Sequence, residues 1–228
     1  MQKTPERAPS MSSELDLFLA LRAGDVESIK RAIEAEPGRA LTRDADGTSL
    51  LLNALYHRHH DLVEFLLERI GAIDCFEAAA LGRLNDLSTA ATRSPSVVTS
   101  QSPDGFTLLH LAAYFGHADI AQWLIRQGAA VDAVARNPTL LRPLHSAVAA
   151  GSARVAILLL QSGADPDAPH RGGFTPLHSA AHRGDADLVD LLLAHGADLR
   201  RCAEDGRCAA DFARQAGHEA IAARLSRG

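Results

Sequence analysis

Eleven histidines and three cysteines are the side chains of this 228-residue sequence whose types invite a chemical reading. Imidazoles and thiolates ligate zinc, copper or iron, and a close thiol pair can exchange with disulfides. The densest group is Tyr56-His57-Arg58-His59-His60, but it falls at a turn between two helices and lacks a completing ligand. His110, His145 and His178 are separated by 35 and 33 residues, so they form a row and do not converge on one ion. Cys202 and Cys208 are six apart and could approach each other. With Cys75 they make no disulfide framework, and a reducing compartment is the expected setting. The chain has no Gly-x-Ser-x-Gly elbow, no phosphate-cradling loop and no Cys-x-x-Cys pair, and its carboxylates are scattered. The expectation is no enzyme, no catalytic residue, no metal and no cofactor.

Those histidines are better explained by what must position them. Three stretches align: DGFTLLHLAAYFGHAD from Asp104, LLRPLHSAVAAGSAR from Leu140 and GGFTPLHSAAHRGDAD from Gly172. Each leads into an aliphatic run ending in Gly-Ala, and Gly116, Gly151, Gly184 and Gly217 are spaced by 35, 33 and 33 residues. Weaker copies surround Gly24, Arg58 and Gly82, and a last copy starts at Asp205. A fixed period of this length signals a repeat architecture, in which each unit buries its apolar face on its neighbours.

One unit shows the local physics. Thr175 can cap a helix, Pro176 suits the first turn, and His178 can reach back toward the cap. Gly184 breaks that helix, and Leu188, Val189, Leu192 and Leu193 then recur at helical spacing. This pattern resembles the ankyrin repeat, and its TPLHxAAxxGH…LLLxxGA vocabulary is almost complete between Thr175 and Ala197. The resemblance implies an all-α solenoid of stacked antiparallel helix pairs with short β-turn fingers. It also implies protein recognition without a cofactor.

The organisation expected is a disordered tail over 1–13 and a repeat domain over 14–228. Its seven units run 14–45, 46–71, 72–103, 104–138, 139–171, 172–204 and 205–228. Polar residues on the outer faces of the first and last units (Glu14, Asp16, Asp25, Glu27; Asp211, Arg214, Gln215, Glu219, Arg224) suggest caps, so the array is expected to be complete. Met11 is an alternative start. The connector between the second and third units is short and should lack a finger. The second helix of the third unit should be degraded.

Composition narrows the partner. The net charge of −5 with interspersed signs gives no basic stripe for nucleic acid. No apolar run reaches membrane length, and the reading is a soluble, cytoplasmic monomer that binds a protein. In ankyrin-like proteins the contacts come from the residue before the capping threonine and the two before the mid-repeat glycine. Carried over, these are Tyr56, His57, Leu81, Phe106, Tyr114, Phe115, Leu141, Phe174, His182 and Arg183. Five of the chain's ten aromatic residues fall in that set, and aromatics and arginines are the usual hot spots. The competing role for the phenylalanines is packing finger against finger. Rival functions are a metal- or redox-linked accessory protein, from His57–His60 or the cysteine pair, and a secreted bacterial effector.

Overall fold

The computed structural model describes residues 13–226, with side chains from Leu17 onward. Most of the expected 1–13 tail, the Met11 start and the side chains of Glu14 and Asp16 lie outside the described residues. Among those described, the regular structure is helical, and β-structure is limited to isolated bridges. The chain divides into two compact units, one up to Ile73 and one from Asp74.

The first unit holds α1 (Ser13–Ala23), α2 (Val26–Ala35), α3 (Leu50–Tyr56) and α4 (His60–Leu67). Leu21, Ile29, Ile33, Leu50, Leu51, Leu62 and Leu66 are almost fully buried between them. Asp25 caps α2 by accepting from the Ser28 N–H at 3.1 Å, and Ser49 caps α3. A single bridge, Arg43 to Ser49, closes a finger ahead of α3. Arg58 occupies the bend after α3 at φ 58°, where the other units place glycine. Residues 68–74 form no bridge, as their short spacing suggested.

The second unit comprises five helix pairs. They are α5 (Cys75–Leu81) with α6 (Leu84–Arg93), α7 (Leu108–Phe115) with α8 (Ala118–Arg126), and α9 (Pro143–Ala150) with α10 (Ala153–Gln161). α11 (Pro176–Arg183) with α12 (Ala186–Ala194) and α13 (Ala209–Gln215) with α14 (Glu219–Leu225) complete the series. First helices stack on first helices, α5 on α7, α7 on α9, α9 on α11 and α11 on α13. Small residues allow the approach: Ala112, Ala113, Ala147, Ala180, Ala181 and Ala213 have no exposed surface. Leucines and valines of the second helices close the core. The bends are equivalent, with Gly116, Gly151 and Gly184 ending α7, α9 and α11 at φ 78°, 73° and 72°.

Two expectations need correction. α6 is a regular ten-residue helix and not a degraded one. Its polarity reflects a thin core, since Leu87 is its only buried residue and Val98, in the following 3-10 turn, supplements it. The cysteines are the second. Cys202 and Cys208 are joined by a disulfide, whereas the sequence suggested free thiols. A tight turn at Asp205-Gly206 makes them direct cross-strand neighbours with Cα atoms 4.1 Å apart, so the approach that the spacing allowed is realised as a bond.

The threonine–histidine pair is built much as the motif suggests. The Thr175 N–H donates to His178 Nδ1 at 3.0 Å, and the threonine hydroxyl meets the same nitrogen at 2.8 Å. A backbone N–H can only donate, so Nδ1 is the acceptor and the ring proton sits on Nε2. Replacing Thr175 with alanine removes the hydroxyl and is expected to cost about 1 kcal/mol. Urea unfolding of the variant checks it, and an unchanged midpoint would show that the backbone donor alone holds the ring.

Candidate partner-binding face

One motif histidine joins its unit to the next by a hydrogen bond. His110 lies with Nδ1 on Thr107 and sends Nε2–H to the Leu141 carbonyl of the following unit at 3.0 Å. Burial holds its pKa down at about 4 against that opposing hydrogen bond. His145 is held at about 3, by burial first and then by His170 beside it. These rings are neutral structural pins at pH 7. The turn histidines act in the opposite direction along the chain: His59 Nε2 meets the Leu21 carbonyl at 2.9 Å, and His117 Nε2 meets the Ala80 carbonyl at 2.8 Å. Of the His57–His60 group, His59 is thereby engaged in packing, and the His57 ring stacks on it at 6.0 Å. Among the described residues no group of three or more His, Cys, Asp or Glu side chains is placed to hold a metal ion.

The ten candidate contact residues all retain exposed surface. In the first unit His57 is exposed and Tyr56 half-buried. In the second unit His182 and Arg183 are exposed, and Leu81, Phe106, Tyr114, Phe115, Leu141 and Phe174 are half-buried. Arg183 is also committed to its neighbour, donating Nη1–H to the Ala149 carbonyl at 2.8 Å. Tyr114 and Phe115 meet edge to face with centroids 5.1 Å apart. Phe106 lies 5.6 Å from the His110 ring, tilted over the pin that joins two units.

In the second unit Phe174 and His182 share a cleft of about 340 Å³. Phe174 stands between His170, stacked at 5.4 Å, and Phe212, edge-on at 5.4 Å. His178 forms the inner wall, with its ring 5.4 Å from that of Phe212. Arg207 lies over the Phe212 ring at 4.3 Å and is fixed by Asp205 at 2.6 Å and Gln215 at 2.7 Å. That ion pair lowers the Asp205 pKa and raises that of Arg207. Burial lowers the pKa of His170 and of His178, the latter opposed by the Arg207 carbonyl and by Asp205. The result is an aromatic-walled cleft in which burial favours the neutral form of His170 and His178, with a restrained cation, Arg207, at its rim. An amphipathic side chain of a partner would fit such a lining.

Two of these wall residues escaped the sequence reading. Phe212 occupies the slot that Leu111, Ser146 and Ser179 hold in the earlier units, a position of mixed size whose residue type gives no signal of the cleft. His170 lies in a finger, outside the motif, and nothing in its spacing marks it.

The comparisons agree with this architecture. A family model described as ankyrin repeats (3 copies) matches residues 75–170, and one described as ankyrin repeats (many copies) matches 159–213. Among curated proteins, a probable E3 ubiquitin-protein ligase of Oryza sativa subsp. japonica, XBOS31, is 32% identical over 134 residues, covering 54% of this chain and 29% of that protein. A putative E3 ubiquitin-protein ligase of Arabidopsis thaliana, XBAT31, is 29% identical over 122 residues, 49% of this chain and 27% of its own length. The ankyrin repeat and SAM domain-containing protein 6 of Mus musculus is 33% identical over 122 residues, 54% of this chain and 11% of its own. The chain spans under a third of the length of each of these relatives.

Proposed function

We propose, from the premise that this chain belongs to the ankyrin-repeat family, that it is a non-catalytic adaptor. It binds a protein partner through the first-helix and finger face of residues 104–204. Ankyrin repeats are in general interaction modules, and that role carries over here. The ligase activity in the names of two relatives belongs to proteins of which the match covers less than a third, and we take only the recognition role from them.

The observation that carries the reading is the set of half-buried rings at the motif's contact positions: Phe106 and Phe174 at the same finger position of two units, and the Tyr114–Phe115 pair before the glycine bend of one. Half-exposed aromatics on a rigid scaffold supply contact area at low entropic cost. Helices pinned unit to unit by His110 and Arg183 present them with little freedom to lose on binding. No helix among the described residues is long and apolar enough to cross a membrane. The net charge of −5 disfavours a polyanionic partner. We read the chain as acting as a monomer in the cytoplasm.

The test is the double variant Tyr114→Ala/Phe115→Ala against wild type, using a partner captured from the source organism. Truncating two hot-spot rings should weaken binding by at least about 30-fold, equivalent to about 2 kcal/mol. Circular dichroism must show the variant folded. Equal affinity from a folded variant would remove the site from these residues.

A further inference from the structure

We propose that the last finger is a thiol–disulfide clasp, with Cys202 and Cys208 locking it when oxidised and releasing it when reduced. The inference stands apart from the partner-binding reading and needs no partner to be known. The pair is already bonded across the finger, and the exposed side of Cys202 lets a second thiol reach its sulfur.

The position explains why this finger would use a covalent clasp. Two earlier fingers of the second unit are held from the next one along. The Arg136 N–H donates to the Gly105 carbonyl at 2.9 Å, and the Glu204 N–H donates to the Gly172 carbonyl at 2.9 Å. Gly206 is the matching turn residue of the last finger, and among the described residues no backbone amide bonds to its carbonyl. A methyl group added there would meet nothing within 4 Å, so the turn stands uncovered. The bridge at Gln101 and Thr107 keeps its shape without a disulfide. Among the described residues no backbone bond reaches that turn from a further finger, and the cross-link ties its two sides together.

The consequence reaches the cleft. Cys208 is the residue before α13, and its N–H donates to Asp211 at 3.0 Å. Arg207 precedes it and lies over Phe212 at the cleft's rim. The Ala203 N–H donates back to the Arg207 carbonyl at 2.9 Å, inside the loop the disulfide closes. Opening the bond therefore loosens the strand that carries Arg207, while Phe174 and His178 stay with α11 and its flanking finger.

The reaction requires a dithiol reductant, small or protein-borne. One of its thiolates attacks Cys202 Sγ, breaking the S–S bond and expelling the Cys208 thiolate, which takes a proton. Its second thiol then displaces Cys202 from the mixed disulfide. Two protein thiols form as the dithiol is oxidised to a disulfide. Cys75 takes no part: it is half-buried, and burial, reinforced by Asp74, raises its thiol pKa.

The experiment uses the full chain, oxidised with glutathione disulfide or reduced with dithiothreitol. Alkylation in denaturant followed by intact mass should give one adduct on the oxidised chain and three on the reduced one. Hydrogen exchange at the Ala203 and Glu204 amides should quicken about tenfold on reduction, as expected for local opening. The Gln101–Thr107 finger should stay unchanged. Cys202→Ser should exchange fast under both conditions, and Cys75→Ser should keep the switch. Three adducts on the oxidised chain, or equal exchange in both states, would overturn the proposal.

Discussion

Moving from pH 7.5 to pH 5.0 is expected to strip roughly 4 kcal/mol from the stability of this chain through His110 and His145. Both rings are buried, and each offers Nδ1 as acceptor to a backbone N–H, from Thr107 at 3.3 Å and from Arg142 at 3.2 Å. A proton added at Nδ1 removes that acceptor and places a charge in the core, so the folded state holds the neutral ring. The folded pKa values, about 4 and about 3, lie below the ordinary histidine value of 6.5. The unfolded chain therefore binds protons first as pH falls. The stabilisation is complete above 6.5 and is lost downward, toward about 4 for His110 and about 3 for His145. Each ring contributes a slope of up to about 1.4 kcal/mol per pH unit in that window. Carboxylates do not confuse the range above pH 5, because Asp25, Asp205 and Asp211 have lowered values and lose their contribution only in stronger acid. Urea unfolding at the two pH values measures the difference. His145→Asn should be less stable at pH 7.5 yet show a flatter pH dependence. A wild-type midpoint that does not move between pH 7.5 and 5.0 would defeat the account.

The same histidines show how much the sequence disclosed. Their recurrence at the third position of a helix identified a cap, and the cap is there. The capping interaction is local, within three residues, and local interactions leave a periodic trace. What the trace omits is the far side of the ring: that His110 Nε2 reaches Leu141 is a relation between units. It depends on how one helix pair sits on the next, and residue spacing alone does not encode it. The disulfide was missed for a different reason: the two cysteines were within reach across a legible turn, but a reducing compartment was expected, and residue spacing does not report the compartment. The cleft shows both sides. Phe174 and His182 were visible from motif positions, whereas His170 enters through a finger whose sequence has no fixed pattern. Arg58 is the reverse case: its place in the series was legible, but not that an arginine would adopt the left-handed bend at φ 58°.

Substituting Gly105 with alanine is expected to be among the most damaging single-methyl changes available, at about 3 kcal/mol or more. Two costs add. The residue has φ +86°, a conformation that penalises any side chain by about 1–2 kcal/mol. The added Cβ would also sit 2.7 Å from the carbonyl carbon and oxygen of Arg136 and 3.1 Å from the Asn137 nitrogen. These are backbone atoms and cannot swing aside as a side chain would. Relief requires the fingers to part, which breaks the bonds from the Arg136 N–H to the Gly105 carbonyl at 2.9 Å and from Asn137 Nδ2–H to the Asp104 carbonyl at 2.8 Å. Gly128 separates the two costs. It has φ +89°, but a methyl there would meet nothing within 4 Å, so Gly128→Ala should cost only the conformational part, about 1 kcal/mol. Denaturant unfolding of the two variants therefore isolates the coupling between adjacent fingers. If that coupling holds the stack together, Gly105→Ala must exceed Gly128→Ala by about 2 kcal/mol, and equal losses would mean that the fingers lie side by side without supporting one another.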